Sequence, residues 1–122
     1  MFARAANAYR RVDLESAPKT QIVERLFARC VADLGRARAA IEANDIRAKG
    51  SELDHALQIV VELKASLDFN AAPVLCANLA ALYDFVTERI AAANATLKVT
   101  PLDQAVRIMT ELGDAFGETH RK

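Results

Sequence analysis

Apolar side chains return at steps of three or four along most of the chain. Pro, Asn, Asp and Ser cut that rhythm into a short leading arm and four helical stretches. In the first stretch, roughly 17–43, Ile22, Leu26, Cys30, Leu34, Ala37 and Ile41 form one stripe, with Val23, Phe27 and Val31 as a second beside it. Two stripes on one helix predict two buried contacts. Ser16-Ala17-Pro18 supplies its start, because Ser accepts from an orphan amide while Pro sits in a first turn where no donor is missed.

Asn44-Asp45 ends that pattern and caps a second helix of roughly 46–69, whose Ile46, Leu53, Leu57, Val60 and Leu67 keep a near-heptad spacing. Ala56, Ile59 and Leu63 widen its face. Phe69-Asn70-Ala71-Ala72-Pro73 reads as a tight corner with Pro73 in the next first turn. The third helix carries Leu75, Leu79, Leu82, Val86, Ile90 and Ala93 and is expected to end near Asn94. Thr100-Pro101-Leu102-Asp103 opens the fourth, lined by Leu102, Val106, Met109, Leu112 and Phe116, with Asp103 near the positive end of the dipole. Short connections make neighbours antiparallel, so the predicted fold is all-α: an antiparallel up-down four-helix bundle preceded by an N-terminal arm or short extra helix. The reading treats 1–122 as one domain, without repeats or low-complexity tracts. It leaves the arm, 1–15, and the last residues, Thr119 to Lys122, free to move.

Composition agrees with helix. Of the apolar residues 25 are Ala, whereas Gly numbers 4 and Pro 3, which disfavours a β architecture. Charge is balanced, 16 basic against 16 acidic, so the row of cations that neutralises phosphates is absent and no nucleic-acid partner is expected. The longest apolar run, Ala71 to Ala77, falls well short of the ~18–20 residues of a membrane span, so no membrane insertion is expected. The Ala-x-Ala near the start has no apolar segment before it, and a cytoplasmic location is expected. Cys30 and Cys76, far apart and outside any CxxC pair, read as small buried hydrophobes of a reducing compartment.

Catalytic signatures are sparse. No GxGxxG or GxxxxGK[ST] turn is present to cradle a phosphate. His55 and His120 lack a second ligand at helical spacing; Glu52 precedes His55 by three residues, but a second such pair on another helix is missing, so no metal and no cofactor are expected. His55 also supports an alternative reading, a histidine-phosphotransfer-like signalling bundle. Such domains carry His-x-x-Lys-Gly, whereas here Gln58 and Ile59 stand in those places. Acidic pairs such as Asp84 with Glu88 and Glu111 with Asp114 read as water-facing surface rather than acid/base dyads. An enzyme is not expected. Doubled stripes and a detachable arm leave room for a partner's amphipathic helix. A structural bundle that only self-associates is the plain alternative, and a homodimer is left open.

The order of motifs resembles the flagellin-specific export chaperone family, FliS, over nearly the whole chain. The matching pieces are Tyr9 with Ser16-Ala17-Pro18, then Leu26-Phe27, Ala40-Ile41-Glu42 with Asp45 and Lys49, and Ile59 through Leu63 running into Ser66-Leu67-Asp68. The most specific piece is Asn78-Leu79-Ala80-Ala81-Leu82-Tyr83-Asp84-Phe85, continuing to Arg89-Ile90 and Ala93-Asn94. Departures are Leu26-Phe27-Ala28-Arg29-Cys30 where the family has a Leu-Tyr-Asp-Gly-Ala-like run, Ala71-Ala72-Pro73 at a corner that is often Gly-rich, and Phe116 in place of a Trp.

The resemblance implies a chaperone that holds the disordered C-terminal segment of flagellin in apolar grooves, prevents premature polymerisation and delivers it to a component of the flagellar type III export gate. On that basis the flagellin-binding residues are expected to be Ile22, Leu26, Leu79, Tyr83, Val86 and Ile90. Tyr9 and Val12 belong to an arm that covers part of the groove until the ligand displaces it. The same stripes suit the bundle's own core equally well, and both assignments stand at this point.

Overall fold

Among the described residues the chain forms four helices: α1 (Ala17–Glu42), α2 (Ile46–Ala65), α3 (Pro73–Thr96) and α4 (Thr100–Arg121). The computed structural model describes residues 8–9 and 17–121, with side chains for 8–9 and 21–117. Ser16, Val12 and the remainder of the arm, and Lys122, lie outside the described residues, whereas 119–121 continue α4 as helix.

Local chemistry sets the boundaries. Asn44 takes a left-handed φ of 57°, which Asn tolerates, and stops α1. Asp45 then caps α2 by accepting from the Ala48 amide at 3.1 Å. Pro73 stands in the first turn of α3, where no side chain caps the helix. Instead Asp68 Oδ1 folds the preceding corner, accepting from the amides of Asn70 at 3.1 Å and Ala71 at 3.4 Å. Leu97 closes α3 with φ 58° and its amide on the Ala93 carbonyl at 2.9 Å.

Two ends differ from the sequence expectation. Helix α2 stops at Ala65, before residue 69, because Leu67 leaves the helix to form an antiparallel bridge with Tyr9, and the Asp68 amide donates to Ala8 O at 2.6 Å. That pairing joins segments 58 or more residues apart, which local periodicity cannot register. Helix α3 runs two residues past Asn94, to Thr96.

Cross-helix ties fix the register. Arg36 pairs with Glu52 between α1 and α2, and the Lys49 ammonium donates to Asn94 Oδ1 at 2.7 Å between α2 and α3. Arg89 reaches Gln104 at 3.1 Å between α3 and α4, and Arg38 reaches Asp103 at 2.8 Å between α1 and α4. In each pair an early residue of one helix meets a late residue of the next, so the helices run up, down, up, down around a ring.

The centre is filled by Leu34, Leu63, Leu67, Leu79, Tyr83, Val86, Leu102, Met109 and Phe116, all fully buried, each worth roughly 1.5–3 kcal/mol relative to exposure. Tyr9 joins them. Its ring stands edge-on to Phe27 and to Phe116, with centroids 6.5 Å and 5.8 Å away. The part of the arm that is described is thus a core element.

Candidate functional site

The described residues offer apolar surfaces for packing. No group of three or more His, Cys, Asp or Glu among them could hold a metal, and no helix of theirs is long and apolar enough to cross a membrane. Two stretches of apolar surface stay open.

The first is the outer face of α3. Its inner stripe, Cys76, Leu79, Tyr83, Val86, Ile90 and Ala93, is buried. On the opposite side Val74, Ala77, Ala81 and Phe85 recur at helical spacing and are exposed, Val74 at 75% and Phe85 at 43%. A helix that is apolar all round while one side faces water has surface its own bundle does not use. The Arg89 guanidinium lies over the Phe85 ring, 5.6 Å from its centroid, and Asp84 is tied to Lys64 on α2 at 2.5 Å, so the rim of the stripe is polar and ordered.

The second is a groove of about 350 Å³ between the first half of α1 and the last half of α4, walled by Phe27, Ala28, Val31, Met109, Gly113 and Gly117. Gly113 lets the helices close: a Cβ there would lie 3.0 Å from Phe27 Cβ. Around the corner of α1, Ile22, 55% exposed, and half-buried Leu26 line a shallower hollow with Arg25, Ala28 and Arg29.

The expected binding residues therefore divide. Ile22 faces outward at the start of α1, while Leu26 is half-buried, lining the hollow and packing in part against the core. Leu79, Tyr83, Val86 and Ile90 face inward and are sealed by the neighbouring helices, as is Tyr9. Val12 lies outside the described residues. Periodicity selected the core stripe of α3 because that stripe is the regular one. Val74, Ala77, Ala81 and Phe85 were legible as a second stripe on the same helix but were not singled out.

Buried polar groups knit the site's supports together. The Tyr9 and Tyr83 hydroxyls hydrogen-bond to each other out of contact with water. Burial pushes the Tyr9 phenol up to about 12 and Tyr83 well above the ordinary tyrosine value. Asp33, on α1, is fully buried and accepts from Arg36 and from His55 Nδ1 on α2, with Arg29 3.9 Å away. His55, the residue of the phosphotransfer alternative, is thus half of an α1–α2 tie. Both thiols are buried and unpaired by disulfide, and burial raises Cys30 to about 12.

A ring of helices with spare apolar surface and a buried N-terminal anchor has the architecture of a helical packing module. Sequence comparison gives the class its family. The chain matches the family of flagellar protein FliS over residues 2–122, and it belongs to that family. It is 30% identical over 125 residues to the flagellar secretion chaperone FliS of Salmonella typhimurium strain LT2, covering 98% of this chain and 93% of the relative. Likeness to the flagellar secretion chaperones FliS of Vibrio cholerae and Escherichia coli K12 is also 30%. The alignments cover 91% and 96% of this chain, and 85% and 90% of those relatives.

Proposed function

We propose that this chain is the export chaperone of a flagellin: in the cytoplasm it holds the disordered C-terminal segment of that protein, prevents premature polymerisation and releases it to a component of the flagellar type III export gate. The observation that carries the reading is the outward apolar stripe of α3, Val74, Ala77, Ala81 and Phe85, on a helix whose inner side is already fully packed. A segment destined to line a filament is apolar along one side and must be screened before assembly. Folding such a segment onto a preformed helical surface costs ordering entropy, which keeps the complex reversible.

Ile22 and Leu26 contribute client-facing surface in this reading, joined by the α3 stripe and the α1–α4 groove. Leu79, Tyr83, Val86 and Ile90 act indirectly by holding α3 in place. Tyr9 is the fixed point of the arm, and displacement of the arm by a client would break the Tyr9–Tyr83 hydrogen bond and the bridge to Leu67. Calorimetry against full-length flagellin and flagellin lacking its C-terminal segment tests the function. One-to-one binding that is lost on truncation, with a gain of helicity in the complex, is the expected result; equal affinity for both forms contradicts it.

A further inference from the structure

We propose that the α1–α4 groove seats one helix of the client, and that this helix places a Lys or Arg side chain between Glu24 and Asp114; the proposal rests on the chaperone reading above. Both carboxylates line the groove, Glu24 from the α1 side and Asp114 from the α4 side. They are singular among the carboxylates with described side chains. Every other carboxylate with a described side chain has a cationic, amide or backbone partner, whereas Glu24 and Asp114 have none among the described residues. Two carboxylates of one sign, without a partner among the described residues, thus flank an apolar trough. Charge complementarity then asks for a cation on whatever fills the trough, and a low-dielectric wall strengthens that attraction.

The walls set the rest of the occupant. Ala28, Gly113 and Gly117 leave the trough shallow and smooth, so a helix backbone can approach closely, while Phe27, Val31 and Met109 supply the apolar contact. About 350 Å³ accommodates a few aliphatic side chains from one side of a helix, not a folded domain. The occupant is accordingly an amphipathic helix with a narrow aliphatic stripe and a basic residue set within or beside it. Phe27 both lines the groove and packs edge-on against Tyr9, so the occupied groove adjoins the anchor of the arm.

The test is calorimetry of a flagellin C-terminal peptide against the full chain and three variants. Glu24→Lys with Asp114→Lys reverses the rim; Ala28→Trp fills the trough from an exposed position; Asp54→Lys with Glu42→Lys makes the same change of net charge elsewhere. The rim reversal and the filled trough should each weaken binding about tenfold or more, and the remote charge pair should leave it within about twofold. Replacing the client's basic residues by Gln one at a time should find one whose loss costs affinity against the wild-type chain and costs nothing against the reversed rim. Unchanged affinity in both groove variants while the wild-type chain binds overturns the groove and leaves the chaperone reading standing. Absence of binding by the wild-type chain overturns the reading and the groove together. A change in self-association without a change in client affinity would assign the groove to a second copy of the chain and also overturns the proposal.

Discussion

Tyr9 and Tyr83 meet hydroxyl to hydroxyl at the centre of the bundle, one from the leading arm and one from α3, 74 positions apart in the chain. Among the described residues each hydroxyl has the other as its hydrogen-bond partner, in a surround of Phe27, Phe116 and aliphatic side chains. Tyr9→Phe or Tyr83→Phe alone leaves the surviving hydroxyl buried without a partner and should cost about 1–2 kcal/mol. The double Phe variant should cost clearly less than the sum, and urea unfolding of the four proteins measures the difference.

The same pair, with Cys30, makes the fold sensitive to alkali. Burial raises Tyr9 and Cys30 each to about 12, from 10.0 and 9.0, and raises Tyr83 well above the ordinary tyrosine value. In the unfolded chain these groups lose protons near their ordinary values, while the folded chain retains them. The unfolded state therefore binds fewer protons as pH rises past about 9, and stability falls with pH from there. The contribution is fully present below that point and is lost through about pH 12. Urea midpoints at stepped pH should decline over this window, and less steeply in the double Phe variant. A flat profile would contradict the burial of these groups.

Asp33 is a buried carboxylate whose partners, Arg36 and His55, reach in from an exposed and a half-buried position. Asp33→Asn keeps shape but weakens those bonds, at about 1–2 kcal/mol. Removing Arg36 and His55 together is expected to cost more, because a stranded buried charge is worse than a missing one. Thermal melts of the two variants rank them.

Leu97 holds a left-handed backbone at the end of α3, with its side chain 43% exposed. Leu97→Gly removes the clash between Cβ and the backbone and sacrifices little burial. It should stabilise by about 1 kcal/mol, raising the melting midpoint by roughly 4 °C.

On the outer face of α3, Val74→Asp should lower affinity for the flagellin segment about tenfold with a melting midpoint unchanged within about 2 °C, since that side chain supports no core contact. Joint loss of affinity and stability would instead place Val74 among the residues that hold the fold.

Local signals made the four helices legible. Asp45, Pro73 and the Thr100-Pro101 start act within one turn of where they stand, so their effect can be read without knowing the fold. The early end of α2 could not be read this way, because it depends on Tyr9 arriving at Leu67 from far away in sequence. Spacing identified Leu79, Tyr83, Val86 and Ile90 as a stripe, but a stripe has no label saying whether the chain itself or a guest covers it. Packing decides, and three neighbouring elements close over that side of α3. On α1 the doubled pattern was real, yet the row beginning at Val23 and Phe27 turned inward and Ile22 turned to water. Asp33 reads as an ordinary surface acid until α2 brings His55 against it.

The bridge between Tyr9 and Leu67 makes the two poles of the molecule unequal. At one pole the turn between α2 and α3 is stitched to the arm by backbone bonds from Ala8 and Tyr9. At the other, the turns after α1 and α3 have no described backbone bond to the arm and are tied by side chains, Lys49 to Asn94 and Arg38 to Asp103. Unpicking the stitched pole would free the Leu67 backbone and the contacts of Tyr9 with Phe27 and Phe116 in one step, so a visitor entering there meets a latch that the far pole does not carry.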